Sequence, residues 1–361
     1  MPATGKCARR FVAPFQTMNS LTDQSSPARL ERLRAHLCDL QDSIRDALIA
    51  ARSTVAAQGF AEIAAQTSAD TIYQIDRVSE EAITRWFESN WPQDEPVQLE
   101  MEGLPDGEVV CFPSGTRVED TRWKCLLDPI DGTRGLMYDK RSAWSLAALA
   151  PQRGQETGLR DIVVAAMTEL PTSKAGLGDQ VSGVRGCGRA GLVCQRIDLS
   201  SGERTSWAPS PSKARDFKHG FAGWARFFPE GKSLLARVEE ELWDELYGLG
   251  STVSPLIFDD QYICSGGQFF EILVGHDRMQ GDLRPLAYAK LGFDSVLVCH
   301  PYDVCTGFLL QEAGGILESP DGTPLDAPLD TTSSVSWMAY ANEELALQVR
   351  PILSRLRREY L

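Results

Sequence analysis

The sequence predicts an α/β fold of the layered α+β kind, and three observations carry that expectation. Helical and strand patterns alternate along the chain, as they do where sheets are covered by helices. Two short apolar runs, Cys125-Leu126-Leu127 and Val296-Leu297-Val298-Cys299, read as buried strands that deliver carboxylates into a turn and a helix start. At 361 residues, 43% of them hydrophobic, the chain can bury a large core, as one domain or as two halves sharing a cleft.

Residues 1–27 are polar, basic at Lys6, Arg9 and Arg10, and carry no acid before Asp23. A disordered tail, or a start placed upstream of Met18, is expected; a transit peptide is the alternative. Leu30, Leu33, Leu37, Leu40, Ile44 and Leu48 then recur at three-and-four spacing, which predicts a helix whose stripe is core packing. After a break near Gly59, a strand-like stretch runs to Asp76. Glu80-Glu81 leads into a second amphipathic helix ending near Trp91-Pro92. On its own, Asp76 reads as an acid complementing a helix start. Val97 to Gly103 alternates like a strand that ends on Glu100 and Glu102, which share a pleat face. Residues 104–121, rich in Pro, Asp, Gly and Thr, read as a surface loop.

The most informative stretch is Leu126-Leu127-Asp128-Pro129-Ile130-Asp131-Gly132-Thr133-Arg134. Pro129 lacks a backbone donor, so the strand is expected to stop there. Gly132 lets the backbone turn sharply and approach a ligand. Asp128, Asp131 and the carbonyl of Ile130 form an all-oxygen set, which suits a hard cation such as Mg²⁺. The N–H groups of Gly132 and Thr133, at a helix start, suit a phosphate. Metal and phosphate addressed from one turn point to phosphoryl chemistry. An ordinary Asp-rich surface turn is the alternative.

Beyond it, 142–150 and 161–167 read as paired strands, and Val184 to Ala190 holds a Gly-x-Gly turn. Residues 233–243 predict a helix. Lys213, Arg215, Lys218, Arg226 and Lys232 near it are a solvated face, or steer an anion. Ser265 and Gly266 are small residues opening another helix. Asp303 opens a third, where an N-cap role is the alternative, and Glu312-Ala313-Gly314-Gly315 closes it. Residues 336–341 form a last strand before a C-terminal helix bearing Leu345, Val349, Ile352 and Leu356.

The net charge of −14 argues against a nucleic-acid partner and against an anionic membrane surface. No apolar run reaches the length of about 18 residues that a spanning helix needs. Such an acidic chain handles a phosphorylated substrate only if bound cations reverse the local field. Nine scattered cysteines (7, 38, 111, 125, 187, 194, 264, 299 and 305) without a CxxC pair read as reduced thiols of a cytoplasmic protein.

Asp128-Pro129-Ile130-Asp131-Gly132-Thr133 resembles the signature of the inositol monophosphatase and fructose-bisphosphatase superfamily of metal-dependent phosphatases. Tyr302-Asp303-Val304-Cys305-Thr306, followed by Glu312-Ala313-Gly314-Gly315, resembles its second signature, with Tyr302 in place of Trp. The resemblance spans roughly residues 40 to 345. It implies the αβαβα sandwich of the sugar phosphatases over 28–361, with halves at about 28–195 and 259–361 around a poorly matched insert, 196–258. It implies Mg²⁺-dependent hydrolysis of a small phosphate monoester of inositol or sugar type, inhibition by Li⁺, and a homodimer. By the same resemblance Glu102, Asp128, the Ile130 carbonyl, Asp131 and Asp303 would hold two or three Mg²⁺ ions, or Mn²⁺. Glu100 is the alternative to Glu102. Thr133, held by Asp76, would orient the attacking water. Gly132, Thr133, Arg134, Ser265, Gly266 and Arg284 would meet the substrate.

Two departures from the pattern stand out. The family Lys upstream of Asp76 has no counterpart, with Ala65 and Gln66 in its place. The family acid upstream of Asp303 falls on Val296, a neighbourhood that Arg284 would fill. A 3′(2′),5′-bisphosphate nucleotidase, using Arg284 and the basic middle segment for a second phosphate, is one alternative. A metal-binding scaffold without turnover is the other.

Overall fold

A computed structural model of the protein describes residues 26–54, 63–66, 71–104, 108–250, 254–293 and 296–361, the side chains of 53–54, 63–66 and 71–78 excepted. The expected tail (to residue 25), the break near Gly59 and the side chains of Ala65, Gln66 and Asp76 therefore lie outside the described parts.

The leucine stripe forms helix α1 (Pro27–Thr54), with Leu33, Leu37, Leu40, Ile44 and Leu48 buried. A short antiparallel pair, β1 (Ile63–Gln66) and β2 (Thr71–Tyr73), leads into α2 (Gln74–Asn90), which packs beside α1. Eight strands then build the larger sheet: β3 (Val97–Met101), β4 (Val110–Phe112), β5 (Trp123–Asp131), β6 (Ala143–Pro151), β7 (Val164–Leu170), β8 (Leu177–Val184), β9 (Val193–Asp198) and β10 (Arg204–Trp207). Their order is β10-β9-β8-β7-β6-β5-β3-β4, and only the β3–β5 pair is parallel. A five-residue helix, α3 (Thr133–Met137), separates β5 from β6. The smaller sheet runs β12-β11-β13-β15-β14, from β11 (Gly220–Ala222), β12 (Ile257–Phe258), β13 (Asp277–Asp282), β14 (Ile316–Glu318) and β15 (Trp337–Tyr340). Between these strands lie α4 (Lys232–Tyr247), α5 (Ser265–Leu273), α6 (Arg284–Leu291), α7 (Pro301–Val304) and α8 (Phe308–Glu312), and α9 (Glu343–Tyr360) ends the chain.

Side-chain alternation along β6 shows how one sheet serves two cores. Trp144, Leu146, Ala148 and Ala150 face the core between the sheets; Ala143, Ala147 and Leu149 face the core under α1 and α2. With both faces covered, such a strand is apolar throughout rather than alternating. Helix α5 packs on β6 and β13, and α7 packs on β5 and β6. Helix α9 packs on β15 and α4. The result is a layered αβαβα sandwich.

Several expectations are corrected. Pro129 does not end its strand: β5 continues to Asp131. Asp128 pairs with Leu146 and Asp131 with Trp144, three residues against two, so one residue is extra and the strand is bulged there. A bulge tolerates proline, and β3 has already ended at Met101, so no neighbour on that side needs the missing N–H. The strand expected at 296–299 is irregular coil, and the helix expected over 300–315 is two short ones, α7 and α8. The loop at 104–121 contains edge strand β4. The poorly matched stretch 196–258 contributes β10 to the larger sheet and β11, α4 and β12 to the smaller layers.

Candidate active site

The bulge in β5 decides the geometry. In a regular strand, residues three apart point to opposite faces. The extra residue restores parity, so Asp128 and Asp131 both face the space between the sheets while Ile130 joins the core beneath α1 and α2. Asp303 arrives in that space from α7. One carboxylate oxygen from each of Asp128, Asp131 and Asp303 lies within 4.8 Å of the others.

Each of the three is pinned by backbone donors. Asp128 accepts the Ile130 N–H at 3.0 Å. Asp131 accepts the Gly266 N–H at 2.6 Å, and the Ser265 N–H also holds it. Asp303 accepts the His300 N–H at 2.6 Å across the first turn of α7, which is capping-box geometry. Asp303 thus sits one turn inside its helix rather than at the N-cap.

Glu102 follows the end of β3, where Gly103 takes a φ of +90°. It shares a hydrogen bond with the Asp128 carboxyl and adds its charge to the group. Glu100 points elsewhere: it accepts from Gln98 at 2.7 Å and pairs with Lys124 at 3.3 Å.

Burial is the largest cause of the raised pKa of all three aspartates, because a carboxylate out of water loses its hydration. Asp131 is pushed up to about 8, with the charge of Asp303 adding to the effect and the Gly266 N–H opposing it. Asp303 is pushed up to about 6, opposed by the His300 N–H. Asp128 lies well above the usual carboxylate range, through burial and then the charges of Glu102, Asp131 and Asp303. Without metal, the folded protein therefore binds more protons here than the unfolded chain does between about pH 4 and pH 8. Stability of the metal-free protein should fall as pH rises through that window. A divalent cation held by these carboxylates would compete with those protons, so any stabilisation by Mg²⁺ should be largest near pH 8 and fade as pH drops through about 6. Thermal melts with EDTA and with Mg²⁺ across that range check both trends.

Gly132 caps α3 in the left-handed region, at φ +94°. A Cβ there would meet Cys264 Cβ at 2.9 Å and the Ile263 carbonyl at 3.0 Å. Gly132→Ala combines a strained φ with overpacking, and is expected to cost about 2–4 kcal/mol in a denaturant melt. Thr133 donates its hydroxyl to the Ile130 carbonyl at 2.8 Å. That carbonyl keeps a second lone pair. Arg134 lies half-buried in the same helical turn.

Two expected substrate contacts have different positions. Gly266 faces inward: a Cβ would strike Leu146 at 2.5 Å, and its N–H serves Asp131. Arg284 is buried, paired to Asp282 at 2.5 Å, bonded to the Leu297 carbonyl at 3.3 Å, and stacked near Phe227 and Phe228 at 5.1 and 5.2 Å. A guanidinium so engaged is not a free phosphate clamp. Sequence reasoning missed Asp282, which holds Arg284, and Cys264. The Cys264 thiol donates to the Asp131 carbonyl at 3.1 Å and caps α5 by accepting from the Gly267 N–H at 3.2 Å. Cysteine is not a usual cap, so nothing in the sequence signalled it.

No family model and no curated protein matches the chain. Solved structures do. A fructose-1,6-bisphosphatase from Leishmania major in holo form superposes with a TM-score of 0.62 at 14% identity, covering 93% of this chain and 97% of that one. An inositol monophosphatase from Zymomonas mobilis gives 0.51 at 18%, covering 90% and 98%. The chain has the inositol monophosphatase and fructose-1,6-bisphosphatase superfamily fold. A putative sedoheptulose-1,7 bisphosphatase from Toxoplasma gondii shares this superfamily fold, at 0.58 and 11% identity, covering 93% and 97%. Among the described residues of this fold, no helix is long and apolar enough to cross a membrane, and eight cysteines are free.

Proposed function

We propose that the chain is a Mg²⁺-dependent phosphatase of small phosphate monoesters, of sugar or inositol type. The observation that carries this reading is the convergence of Asp128, Asp131 and Asp303 within 4.8 Å, the first two buried and Asp303 half-buried. Three like charges so close are unfavourable in a low dielectric, and they serve no packing purpose that amides would not serve better. An all-oxygen acid set fits Mg²⁺ or Mn²⁺. Glu102, Asp128, Asp131, Asp303 and the free lone pair of the Ile130 carbonyl are the groups that would hold it. A divalent cation there supplies Lewis acidity, polarising the phosphoryl group and easing loss of a proton from water.

The chain's own residues do the remaining work. The Gly132 and Thr133 N–H groups, at the turn after β5, are donors for a phosphate. The Thr133 hydroxyl, already fixed on Ile130, can turn a lone pair toward an attacking water, with Asp76 as its proposed partner. Ser265, at the start of α5, and Arg134 form the proposed substrate rim. Arg284 shapes the wall through Asp282 and acts electrostatically on Asp303. Because Arg284 is taken up by Asp282, a second substrate phosphate finds no free guanidinium there, and the monoester reading is favoured over a bisphosphate nucleotidase. A phosphate-release panel of inositol, sugar, histidinol and nucleotide phosphates with Mg²⁺ tests this. Turnover confined to 3′-phosphonucleotides would overturn the substrate class, and metal binding without any turnover would favour the scaffold. A homodimer is proposed on the resemblance alone; a sedimentation mass near the single-chain 39.8 kDa would reject it.

A further inference from the structure

Asp131 differs from the other two aspartates in where its donors come from. Asp128 and Asp303 bond to N–H groups two and three residues away. Asp131 accepts from Gly266, 135 residues along the chain, and from Ser265 beside it. The Cys264 thiol donates to the carbonyl of the same aspartate at 3.1 Å. The orientation of the Asp131 carboxylate therefore depends on where the start of α5 lies. Residues 259–264, which lead into α5, form neither helix nor strand, so no backbone ladder fixes that position.

Arg141, on the link between α3 and β6, supplies the fixing. Its guanidinium donates to both carboxylate oxygens of Asp260, at 2.8 and 2.7 Å. It also lies 4.0 Å from the centre of the Tyr262 ring and 4.0 Å from Glu271 of α5. Tyr262 ties the two segments a second time, its hydroxyl donating to the Ser142 carbonyl at 2.8 Å. A Cβ on Gly267 would come within 2.2 Å of the Tyr262 ring, so glycine in the first turn of α5 makes room for it. The Tyr262 carbonyl accepts from the Cys264 N–H at 2.9 Å and from the Gln268 side chain at 2.8 Å. On the other side, the Arg141 N–H donates to the Gly135 carbonyl of α3 at 3.2 Å. Arg141 and Tyr262 thus join the turn that follows Asp131 to the helix start that holds it.

We propose that Arg141 is a positioning residue of the metal centre, setting the Asp131 carboxylate through Asp260, Tyr262 and the start of α5. The inference rests on the reading of the aspartates as a metal centre. The side chains of Arg141 and Asp260 are 34% and 45% exposed, and ion pairs so exposed add little to global stability. A metal centre is far more sensitive, because Mg–O distances of about 2.0–2.1 Å in octahedral geometry tolerate little movement of a ligand. Groups that orient a ligand without touching the metal change affinity or activity by about 10–100-fold when they are lost. Loss of Arg141 should therefore register in metal binding while the fold stays intact.

Calorimetric titration of the EDTA-stripped full chain with Mg²⁺ at one fixed pH tests it. Arg141→Ala and Asp260→Asn should each raise the Mg²⁺ Kd at least about fivefold. Both variants should melt in EDTA within about 3 °C of the unaltered protein. Arg355→Ala removes an ion pair of similar exposure between α9 and α4, and should leave the Kd unchanged. An unchanged Kd in both folded variants, or an equal rise in Arg355→Ala, would overturn the proposal. Absence of Mg²⁺ binding by the unaltered protein would reject the metal centre and this proposal together. Binding without turnover would reject the phosphatase reading alone and leave the Arg141 comparison standing.

Discussion

Asp128→Asn is expected to lower turnover at least about a thousandfold, roughly 4 kcal/mol of transition-state stabilisation, while raising the melting temperature of the metal-free protein. Both effects come from one carboxylate. Asp128 is 1% exposed and sits among Glu102, Asp131 and Asp303, each of which raises its pKa. Asparagine keeps the shape and the oxygen that accepts the Ile130 N–H, but removes the charge that the fold must bury. The metal-free protein should gain about 1–2 kcal/mol, the usual exchange of stability against function at a strained site. On the proposed reading a bound cation would lose an anionic ligand, and activity should go with it. Turnover at saturating Mg²⁺ and a melt in EDTA measure the two effects separately. Full activity in this variant would remove Asp128 from the site.

The second large effect separates two glutamates two residues apart, Glu100 within β3 and Glu102 just past its end. Glu102→Gln should lower turnover at least about a hundredfold, more than 2.7 kcal/mol, and weaken Mg²⁺ dependence. Glu100→Gln should cost less than about tenfold. Pleat periodicity places both on one face and cannot choose between them. Their surroundings differ sharply. Glu102 shares a hydrogen bond with Asp128, whereas Glu100 is held by Lys124 and Gln98, about one repeat of 6–7 Å back along the strand. A displacement of that size cannot be absorbed where Mg–O distances are about 2.0–2.1 Å. If Glu100→Gln is the inactive variant and Glu102→Gln works, the ligand lies one repeat earlier.

Much of the layered fold was legible because hydrophobic periodicity is a local property. The α1 stripe, the apolar run of β6 and the C-terminal helix follow from spacing alone. The position of Asp131 relative to Asp128 was not. Proline signalled a stop, yet its cost vanished because β3 ends before it, a fact about the neighbouring strand. The bulge that turns both aspartates one way is likewise a matter of pairing with β6. Arg284 shows the same limit. An arginine near a phosphate site suggests a clamp, but Asp282 two residues earlier, together with Phe227 and Phe228 from far along the chain, occupies it. Cys264 as a cap offers no composition cue at all.

The most direct measurement is phosphate release by EDTA-stripped protein, with the best monoester of the panel, as Mg²⁺ is titrated back. The proposed centre predicts a rate at background without metal, rising to saturation with Mg²⁺, and flat throughout in Asp128→Asn. A rate that persists in EDTA, or that rises with Mg²⁺ equally in Asp128→Asn, would contradict it.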